Sequence, residues 1–488
     1  MKKISPTLVL LLLISMSATA AVSISPNNRG QAIIVPYYTV ANGLNTALSI
    51  NNAQDHPKAV KVNIREGRQS AAVYTFNVYL AANDIWTMAM YEEESLLKIA
   101  TEDTTCVLNF PNTENQVPII DESLDWDSQT GSIEVIEMAS ISNESQTFFS
   151  DLSDEENCLT ISDAWYPRSG PSGLWNIDPT DGLIAASGGL TADVKVIDVL
   201  NGFAFSVPTT ALKNFYSAGT IFHTEPESSL PDLSSGTKNS ILVFAEQFIE
   251  TTWPTGYEAV SALLMRTTLG NEYDVTPGIG AVNEWVLSFP TLRFHKNNPE
   301  SQTPFIFENT DFFRFPGIQS DAYTFYDRDG KESREITSCV TTPSGSYCPS
   351  ISYLKHPVNT YVINPWGSHT PDSAISGSSN DRIMPLNLWG STHESSSFLS
   401  GKVELNILTY ESEYGPVQTS SRGNHRGMGS AEGLPHQHIY NGLPVIGFAF
   451  QKYQNANAQP GILATYANAK PHYGKRFICC FNGYEPAD

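Results

Sequence analysis

The stretch from residue 31 to residue 90 constrains the fold most, because its apolar side chains recur at every second position. The alternation is cleanest in three runs, residues 44–51, 60–65 and 73–80. A strand points successive side chains to opposite faces, so a period of two indicates one buried face and one solvent-facing face. Turn-forming sequences such as Asn42-Gly43 separate the runs. The stretch therefore predicts consecutive antiparallel strands.

Strands that bury a single face need a second sheet packed on top of them. A chain of 488 residues is too long for one hydrophobic core. An aromatic share of 11% also favours strands over helices. The predicted fold is all-β, with two or three antiparallel immunoglobulin-like β-sandwich domains and long loops. The domains are predicted at residues 21–215 and 216–488.

The first twenty residues have the pattern of a secretory signal peptide. Lys2 and Lys3 form a charged head, residues 8–14 are apolar, and residues 18–20 offer small side chains for cleavage. The alternative is a retained membrane anchor, but the apolar run is too short to cross a bilayer. The sequence predicts export, no transmembrane segment in the mature chain, and a location in the periplasm, at the cell surface or outside the cell.

The charge balance excludes several kinds of partner. The formal net charge is −23, and removal of Lys2 and Lys3 makes it more negative. Such a chain repels nucleic acid and anionic lipid, so neither is a predicted partner.

Six cysteines in an exported chain predict disulfides. We predict a bond between Cys339 and Cys348, because Pro343-Ser344-Gly345 makes a chain reversal between them, and a bond between Cys106 and Cys158. The neighbours Cys479 and Cys480 remain open between a strained bond, free thiols and an intermolecular bridge.

Residues 99–167 contain fifteen Asp and Glu residues and no Lys or Arg, which predicts an acidic insert in the first domain. Calcium binds six to eight hard oxygen ligands, and a dense acidic cluster supplies them. The candidate calcium ligands are Asp121, Glu122, Asp125 and Asp127. An EF-hand is excluded because Thr130 stands where that loop needs Gly. The alternatives are a calcium site and a solvated charged surface. No other cofactor is predicted.

A Gly-rich segment near the C-terminus supplies a second metal candidate. His436 and His438 would face the same way on a strand, and His425 lies nearby in the sequence. Imidazole nitrogens are common zinc ligands. The alternative is that these histidines are surface polar groups.

Three other segments carry local predictions. Residues 91–100 are predicted to form one or two helical turns, because glutamates stand at their N-terminal end. A nearly continuous apolar run, residues 241–249, predicts a strand that is buried on both faces. Residues 260–265 alternate like the earlier runs and predict another strand.

Scattered blocks resemble a family of uncharacterised exported proteins of Gram-negative bacteria. The blocks are scattered across most of the chain and lie at residues 36–40, 58–62 with 65–67, 76–80 with 86–87, 259–266, 289–291 and 442–449. The resemblance implies export and kinship over the full length. It implies no activity, cofactor or catalytic residue.

Common catalytic motifs are absent from the sequence: there is no G-x-S-x-G, no HExxH and no P-loop. The predicted function is an exported structural or binding, adhesion-like module that is not an enzyme, with a glycan, a protein or a second copy as its partner. One alternative is a secreted polysaccharide hydrolase. Paired carboxylates for it would be Glu134 with Glu137 or Glu246 with Glu250. The other alternative is a filament subunit that assembles by strand exchange.

Aromatic side chains are candidates for stacking on sugars, with burial in the core as the alternative. The candidates are Tyr37, Tyr38, Trp165, Trp175, Trp366 and Trp389.

Overall fold

A computed structural model gives the arrangement of most of the chain. It describes residues 20–94, 96–111, 128–142, 155–170, 172–297, 323–333, 340–342, 345–347, 356–364, 373–376, 383–387, 399–407, 427–429, 438–459 and 462–480. All structural statements below concern these residues.

The first half of the described chain is mainly strand. Its strands are β1 (Ser23–Ile24), β2 (Ala32–Thr39), β3 (Leu44–Asn52), β4 (Lys58–Glu66), β5 (Ala72–Leu80), β6 (Ile85–Glu93), β7 (Leu96–Ala100), β8 (Cys106–Leu108), β9 (Thr130–Ile141), β10 (Leu183–Ile184), β11 (Leu190–Asp198), β12 (Phe203–Val207) and β13 (Thr210–Lys213). Its helices are α1 (Glu155–Trp165), α2 (Leu174–Ile177) and a short 3-10 helix, Ala41–Gly43.

Two antiparallel sheets are built from these strands. Sheet I has the order β1-β13-β2-β9-β4-β5-β8, and β10 also pairs with β9. Sheet II has the order β12-β11-β3-β6-β7. The apolar faces of the two sheets meet in one core cluster that includes Val60 and Val62 from β4 and Leu48 from β3. The sheets therefore pack face to face, as in a sandwich.

The second half contains the remaining strands. They are β14 (Asn239–Phe244), β15 (Gln247–Thr252), β16 (Met265–Arg266), β17 (Thr268–Asp274), β18 (Val282–Ser288), β19 (Tyr323–Asp327), β20 (Glu332–Ser333), β21 (Val340–Thr342), β22 (Gly345–Tyr347), β23 (Val358–Asn364), β24 (Ile383–Asn387), β25 (Ser400–Asn406), β26 (Gly427–Gly429), β27 (His438–Asn441), β28 (Leu443–Pro444), β29 (Ile446–Gln459), β30 (Ile462–Pro471), β31 (Tyr473–Lys475) and β32 (Ile478–Cys480). The helices are α3 (Gly256–Leu264), α4 (Leu292–Asn297) and the 3-10 helix Pro277–Ile279.

Two larger sheets organise this half. Sheet III has the order β20-β19-β25-β17-β31, and sheet IV has the order β24-β23-β18-β29-β30. The strands in these sheets pair antiparallel except for β23 with β24, which pair parallel. Smaller sheets join β14 to β15, β16 to β28, β21 to β22, and β26, β27 and β32 to one another.

Sheet IV is a layer shared by the two halves. Val286 of β18 joins the core between sheets I and II, where Phe448 and Phe450 of β29 contact Phe205. The preceding residue, Trp285, points the other way and joins the core of the second half. Both core clusters thus contain residues from either side of the predicted domain boundary at residue 216, and the division into domains stays a prediction.

The start of the described chain is tied to the second half. The amide of Val22 donates to the carbonyl of Asn239 (2.8 Å), and the amide of Ile241 donates to the carbonyl of Val22 (2.9 Å). The Thr237 hydroxyl donates to the carbonyl of Ala20 (3.0 Å). Val22 is fully buried in the core of the second half.

The structure confirms the all-β class with antiparallel sheets, and it confirms several strands. Burial in β3 alternates residue by residue, as the period of two predicts. Asn201-Gly202 joins β11 to β12, and Asp329-Gly330 joins β19 to β20. Among the described residues, no helix combines the length and the apolar character that crossing a membrane requires.

Three local predictions are wrong. Residues 91–100 lie in the β6–β7 hairpin, which turns at Glu94 with a positive φ, and Leu97 and Ile99 are buried on one face. Residues 241–249 form a hairpin that turns at Ala245-Glu246 instead of one buried strand. Residues 260–265 belong mainly to α3, where every residue is buried, so its apolar residues show no preferred face.

The interpretation of residues 99–167 as an insert is also corrected. β8 is an edge strand of sheet I, and β9 lies in its middle between β2 and β4. All twelve residues of β9 are buried. The acidic composition of the region is therefore misleading, because the region contains a central strand of the sheet. The part that stands outside the sheet in the described chain is α1, which packs on sheet I through Ile161.

Candidate functional site: a pocket beside a disulfide

Cys106 of β8 and Cys158 of α1 form a disulfide, as the sequence predicts, with their Cα atoms 5.2 Å apart. The bond ties α1 to the edge of sheet I across 52 positions of sequence. Closing a loop of this length removes conformational freedom from the unfolded chain. The disulfide therefore holds residues 155–184, which we call the α1–α2 unit, against sheet I.

The sequence explains where the two helices begin and end. α1 begins at Glu155, and the charge of Glu156 suits the positive N-terminal end of a helix. It stops two residues before Pro167, because proline disfavours helical backbone in the residue that precedes it. At α2, the Asn176 side chain accepts the amide of Gly173 (3.1 Å), which satisfies a backbone donor where the helix begins.

An aromatic floor joins the α1–α2 unit to sheet I. The rings of Tyr79 on β5 and Trp175 on α2 are stacked with centroids 5.7 Å apart, and Trp165 packs against Trp175. All three side chains are buried. Because aromatic contacts of this kind add to the energy of area burial, the floor fixes the position of both helices.

A chain of hydrogen bonds runs through this floor. The indole of Trp165 donates to the hydroxyl of Tyr79 (3.0 Å), which lies 3.1 Å from Nε2 of His223. Nδ1 of His223 lies 2.9 Å from the carbonyl oxygen of Pro179, which can only accept, so Nδ1 carries the proton. Burial lowers the pKa of His223 to about 4. The ring is therefore neutral at pH 7, and its Nε2 accepts a hydrogen bond from the hydroxyl of Tyr79.

A pocket of about 470 Å³ opens between α1 and α2. This volume is within the range of sites that hold small ligands. The pocket is lined by Thr160, Asp163, Ala164, Pro167, Arg168, Ser169, Ser172, Gly173, Leu174, Asp181 and Gly182. Its wall is thus partly apolar, with hydroxyl groups and charged groups set around it.

Two of the three charged side chains that line the pocket are paired with each other. Arg168 donates from Nε and Nη2 to the carboxylate of Asp163, at 2.9 Å and 2.7 Å. These hydrogen bonds lower the pKa of Asp163, so it stays ionised at neutral pH. Arg168 is 65% exposed, so the pair is open to a ligand in water. It offers fixed acceptors on one residue and fixed donors on the other.

Gly173 keeps the two helices in close contact. A Cβ atom at this position would lie 2.2 Å from the carbonyl oxygen of Ala164, too close for any other residue without movement of the backbone. The pocket geometry therefore depends on glycine at this point.

A second polar cluster lies under sheet I and is fully paired. Glu134 of β9 meets Arg65 of β4 at 3.0 Å and Arg293 of α4 at 2.7 Å, and Arg293 also meets Asp232 at 3.1 Å. Burial alone would raise the pKa of Glu134, but Arg293 and Arg65 outweigh burial and hold this pKa below its usual value. The cluster is a buried ionic joint between the two halves of the chain.

A third cluster contains a serine next to a lysine. Nζ of Lys58 lies 2.6 Å from Glu137, 2.5 Å from the hydroxyl of Ser187 and 3.3 Å from the hydroxyl of Ser140. A catalytic lysine base must be neutral, whereas this one is ion-paired and has an acceptor for each of its three N–H groups. Glu137 also accepts the amides of Ser187 and Gly188. The cluster anchors residues 187–188.

A fourth cluster contains a buried serine next to a histidine, which is the arrangement of a nucleophile and its base. The hydroxyl of Ser261 on α3 lies 2.9 Å from Nε2 of His295 and 2.8 Å from the hydroxyl of Thr291. It also donates to the carbonyl of Tyr257 (2.8 Å), one helical turn earlier. Ser261 is fully buried, so a substrate cannot reach it in this conformation.

The structure places some of the predicted site residues and leaves others outside its description. Asp121, Glu122, Asp125, Asp127, His425, His436, Cys339 and Cys348 lie outside the described residues. His438 lies in β27. The described part of the chain contains no group of three or more His, Cys, Asp or Glu arranged to hold a metal ion. The calcium and zinc sites stay predictions.

The aromatic candidates divide in the same way. Tyr37, Tyr38, Trp165 and Trp175 are buried in the core, so they do not stack on external sugars. Trp366 and Trp389 lie outside the described residues. The carboxylate pair Glu134 and Glu137 is buried and ion-paired, which removes it from a catalytic cleft.

Sequence reasoning missed the pocket, although two signals point to it. Trp165 and Trp175 lie ten positions apart around a segment rich in Pro, Gly and Ser, which is typical of two short elements joined by a loop. The disulfide prediction located one of these elements but not the cavity. No family model matches this sequence, no curated protein matches it, and no solved structure matches the chain.

Proposed function

We propose that the protein is an exported, non-catalytic binding module of the cell envelope or surface, and that the α1–α2 pocket binds one saccharide unit of a glycan. Predicted export from residues 1–20 and the predicted immunoglobulin-like plan belong to this proposal. The observation that carries it is the pocket itself, held by a disulfide and an aromatic floor.

The chemistry of the lining supports a polyhydroxylated ligand. Sugar hydroxyls both donate and accept hydrogen bonds, and the Asp163–Arg168 pair offers acceptors and donors in a fixed arrangement. Pro167 and Leu174 give an apolar patch for the C–H face of a sugar ring. Because Asp163 and Arg168 neutralise each other and Asp181 adds a carboxylate, the pocket suits a neutral unit better than an anion.

The rigid frame supports binding as the role of this site. A pocket that is formed before the ligand arrives loses less conformational entropy on binding. The Cys106–Cys158 bond holds α1, and the stacking of Trp175 on Tyr79 holds α2, the two helices that supply most of the pocket wall. The wall residues that the structure describes include no histidine, lysine or cysteine.

A glycan panel tests the proposal. The purified, oxidised protein is screened against bacterial and algal glycans, and the affinity for any bound glycan is measured by calorimetry. We expect Arg168→Ala to weaken binding at least about tenfold, since a hydrogen bond to a charged group contributes about 1.5–3 kcal/mol. The control is Arg328→Ala, because Arg328 is 72% exposed and faces Asp274 but lies away from the pocket.

The outcomes separate the functions. Binding that Arg168→Ala weakens and Arg328→Ala leaves unchanged supports the pocket. The saccharide assignment is overturned if both variants bind with equal affinity, or if no glycan of the panel binds. Release of new reducing ends from a glycan would favour the alternative, a secreted hydrolase, over a binding module.

The second alternative, self-assembly, has one observation in its favour. In the β14–β15 hairpin, the cross-strand partners Val243 and Phe248 are 61% and 79% exposed. Within the described residues, β15 pairs with β14 alone and leaves its other edge open. Electron microscopy of the purified protein would show filaments if this edge assembles. Loss of such filaments in Phe248→Lys would assign them to the hairpin, and single particles in the unmodified protein would argue against assembly.

A further inference from the structure

Two arginines meet at the C-terminal end of α3, far along the chain from each other. Arg266 follows α3 directly in β16, and Arg476 lies between β31 and β32. The pairing of β17 with β31 brings the two segments together, since the amide of Thr267 donates to the carbonyl of Lys475 (2.9 Å). The fold thus places both guanidinium groups beside one helix end.

Their hydrogen bonds hold them side by side. Arg476 donates to the carbonyls of Ala262 (2.9 Å) and Leu263 (2.7 Å). Arg266 donates to the carbonyls of Leu263 (3.3 Å) and Met265 (2.8 Å). Because both side chains bond the same oxygen, that of Leu263, the two guanidinium groups are close neighbours.

The positive charge at this point is not balanced. In the described part of the chain, neither arginine forms an ion pair with a carboxylate, and their bonds all go to main-chain carbonyls. A helix C-terminus carries an effective charge of about −0.5, against two full positive charges. Burial and the neighbouring Arg266 lower the pKa of Arg476 to about 9.

In the buried ionic joint under sheet I, by contrast, carboxylates balance the charges of two neighbouring arginines. Arg65 and Arg293 are also close to each other, but Glu134 lies between them and Asp232 meets Arg293. The chain carries a formal net charge of −23, so acids are plentiful and still none accompanies Arg266 and Arg476 among the described residues. Arg476 already donates to two carbonyls of the last turn of α3, and Arg266 adds only a longer bond to one of them, so capping explains Arg476 better than Arg266.

The two side chains are also accessible. Both are partly exposed, and the guanidinium nitrogens that make no bond in the described structure are not sealed from solvent. Guanidinium groups present forked donors that match the oxygens of tetrahedral anions. We propose that Arg266 and Arg476 form a binding site for a doubly charged oxyanion, a sulfate or phosphate group.

This site is separate from the α1–α2 pocket and does not depend on the proposed function. The anion occupies the side of the pair that faces solvent, opposite the carbonyls of α3, and its two charges neutralise the two arginines. The source of the group is either the free inorganic ion or an ester on a larger molecule such as a sulfated glycan.

Titration of the full chain with sodium sulfate and sodium phosphate, against sodium chloride at the same ionic strength, tests the site. We expect a saturable rise in melting temperature with the doubly charged anions. Arg266→Gln and Arg476→Gln should each weaken the binding at least tenfold. Arg476→Lys keeps the charge but loses the fork, so it should give intermediate affinity. The control, Arg328→Gln, should bind like the unmodified protein.

The arms of the experiment assign the source and can refute the site. A sulfated oligosaccharide that binds more tightly than inorganic sulfate, while its desulfated form does not bind, identifies an ester. Equal affinity for the inorganic ion identifies the free anion. The proposal is overturned if the effect of sulfate is not saturable, or if folded Arg476→Gln and Arg476→Lys variants, checked by circular dichroism, bind like the unmodified protein. Arg168→Ala should leave this binding unchanged, which separates the site from the pocket.

Discussion

Strands β3 and β4 have the same period of two in sequence but different surroundings. Burial in β3 alternates, and its polar face, on the outside of sheet II, is partly exposed. In β4 all nine residues are buried, including Lys61 and Arg65 on the polar face. The sequence predicts a solvent-facing polar side for both strands, and for β4 this prediction is wrong.

The difference comes from what covers sheet I. Residues 223–232, which we call the covering segment, lie over the polar face of β4 and β5. Its carbonyls accept hydrogen bonds from Lys61, Asn63 and Asn77, and the α1–α2 unit covers the adjoining part of the sheet. A polar side of a strand is therefore buried when another segment supplies partners for every donor.

The largest expected effect is at the buried ionic joint. Glu134→Gln leaves Arg65 and Arg293 buried with Asp232 as their remaining carboxylate. We expect a loss of about 3–5 kcal/mol in the free energy of unfolding, because breaking a buried pair leaves charge uncompensated. Urea denaturation measures the loss. The control is Asp193→Asn, which is exposed on sheet II and should change stability by less than about 0.5 kcal/mol.

Removing the disulfide uncovers the other part of sheet I. The double substitution Cys106→Ser and Cys158→Ser frees α1, and the free energy of unfolding should fall by about 2–4 kcal/mol. Thermal denaturation with and without a reductant checks this, since reduction of the unmodified protein should reproduce the loss. Unchanged stability in the double variant would show that the aromatic floor alone holds the α1–α2 unit.

Two asparagines provide a matched pair for the comparison itself. Asn63 of β4 donates to the carbonyls of Ser229 and Pro231, both at 3.1 Å, whereas Asn51 of β3 is partly exposed. Asn63→Ala should cost about 1–3 kcal/mol, because it leaves buried carbonyls without a donor. Asn51→Ala should cost less than about 0.5 kcal/mol. Equal costs in urea denaturation would refute the role of the covering segment.

The last prediction concerns the pH dependence of stability. Burial lowers the pKa of Lys61 to about 7, although Glu227 and Glu225 raise it. The unfolded chain therefore binds this proton up to about pH 10.5, and the folded chain only to about pH 7. Stability should rise with pH between these values by up to about 1.4 kcal/mol per unit.

Lys61→Met should remove this contribution to the slope of unfolding free energy against pH. The control is Lys195→Met, which is exposed on the outer side of sheet II and should leave the slope unchanged. Parallel slopes for the unmodified protein and Lys61→Met would contradict the shift.

The sequence predicts the positions of strands and turns better than it predicts which faces of the strands are buried. β3, β4 and β5 follow from alternation and turn residues, which are local properties. α3 is missed because apolar residues on all sides of a buried helix give no period. Its signal is the capping box, in which Thr255 accepts the amide of Glu258 and the Glu258 side chain accepts the amide of Thr255.

The candidate sites could be predicted in part. The prediction of a disulfide rests on the number of cysteines and on predicted export, and the acidic region predicts a ligand on the first half of the chain. The pocket itself depends on Trp175 stacking on Tyr79 and on Gly173 contacting Ala164, which are contacts between separate elements. The arginine pair brings together Arg266 and Arg476 from distant parts of the chain, so no local sequence pattern predicts it.

The burial of Val22 has a consequence for the order in which the molecule forms. Ala20 and Thr237, which bond beside it, are 217 positions apart. When the chain leaves the ribosome or a translocation channel, the segment around Val22 emerges before the β14–β15 hairpin with which it pairs. The apolar side chain of Val22 therefore stays exposed until that hairpin has emerged. Closing such a distant contact is slow, and exposed apolar ends meanwhile invite aggregation. The segment around Val22 is thus synthesised early but packs late, and attachment of a bulky group there would delay completion of both halves.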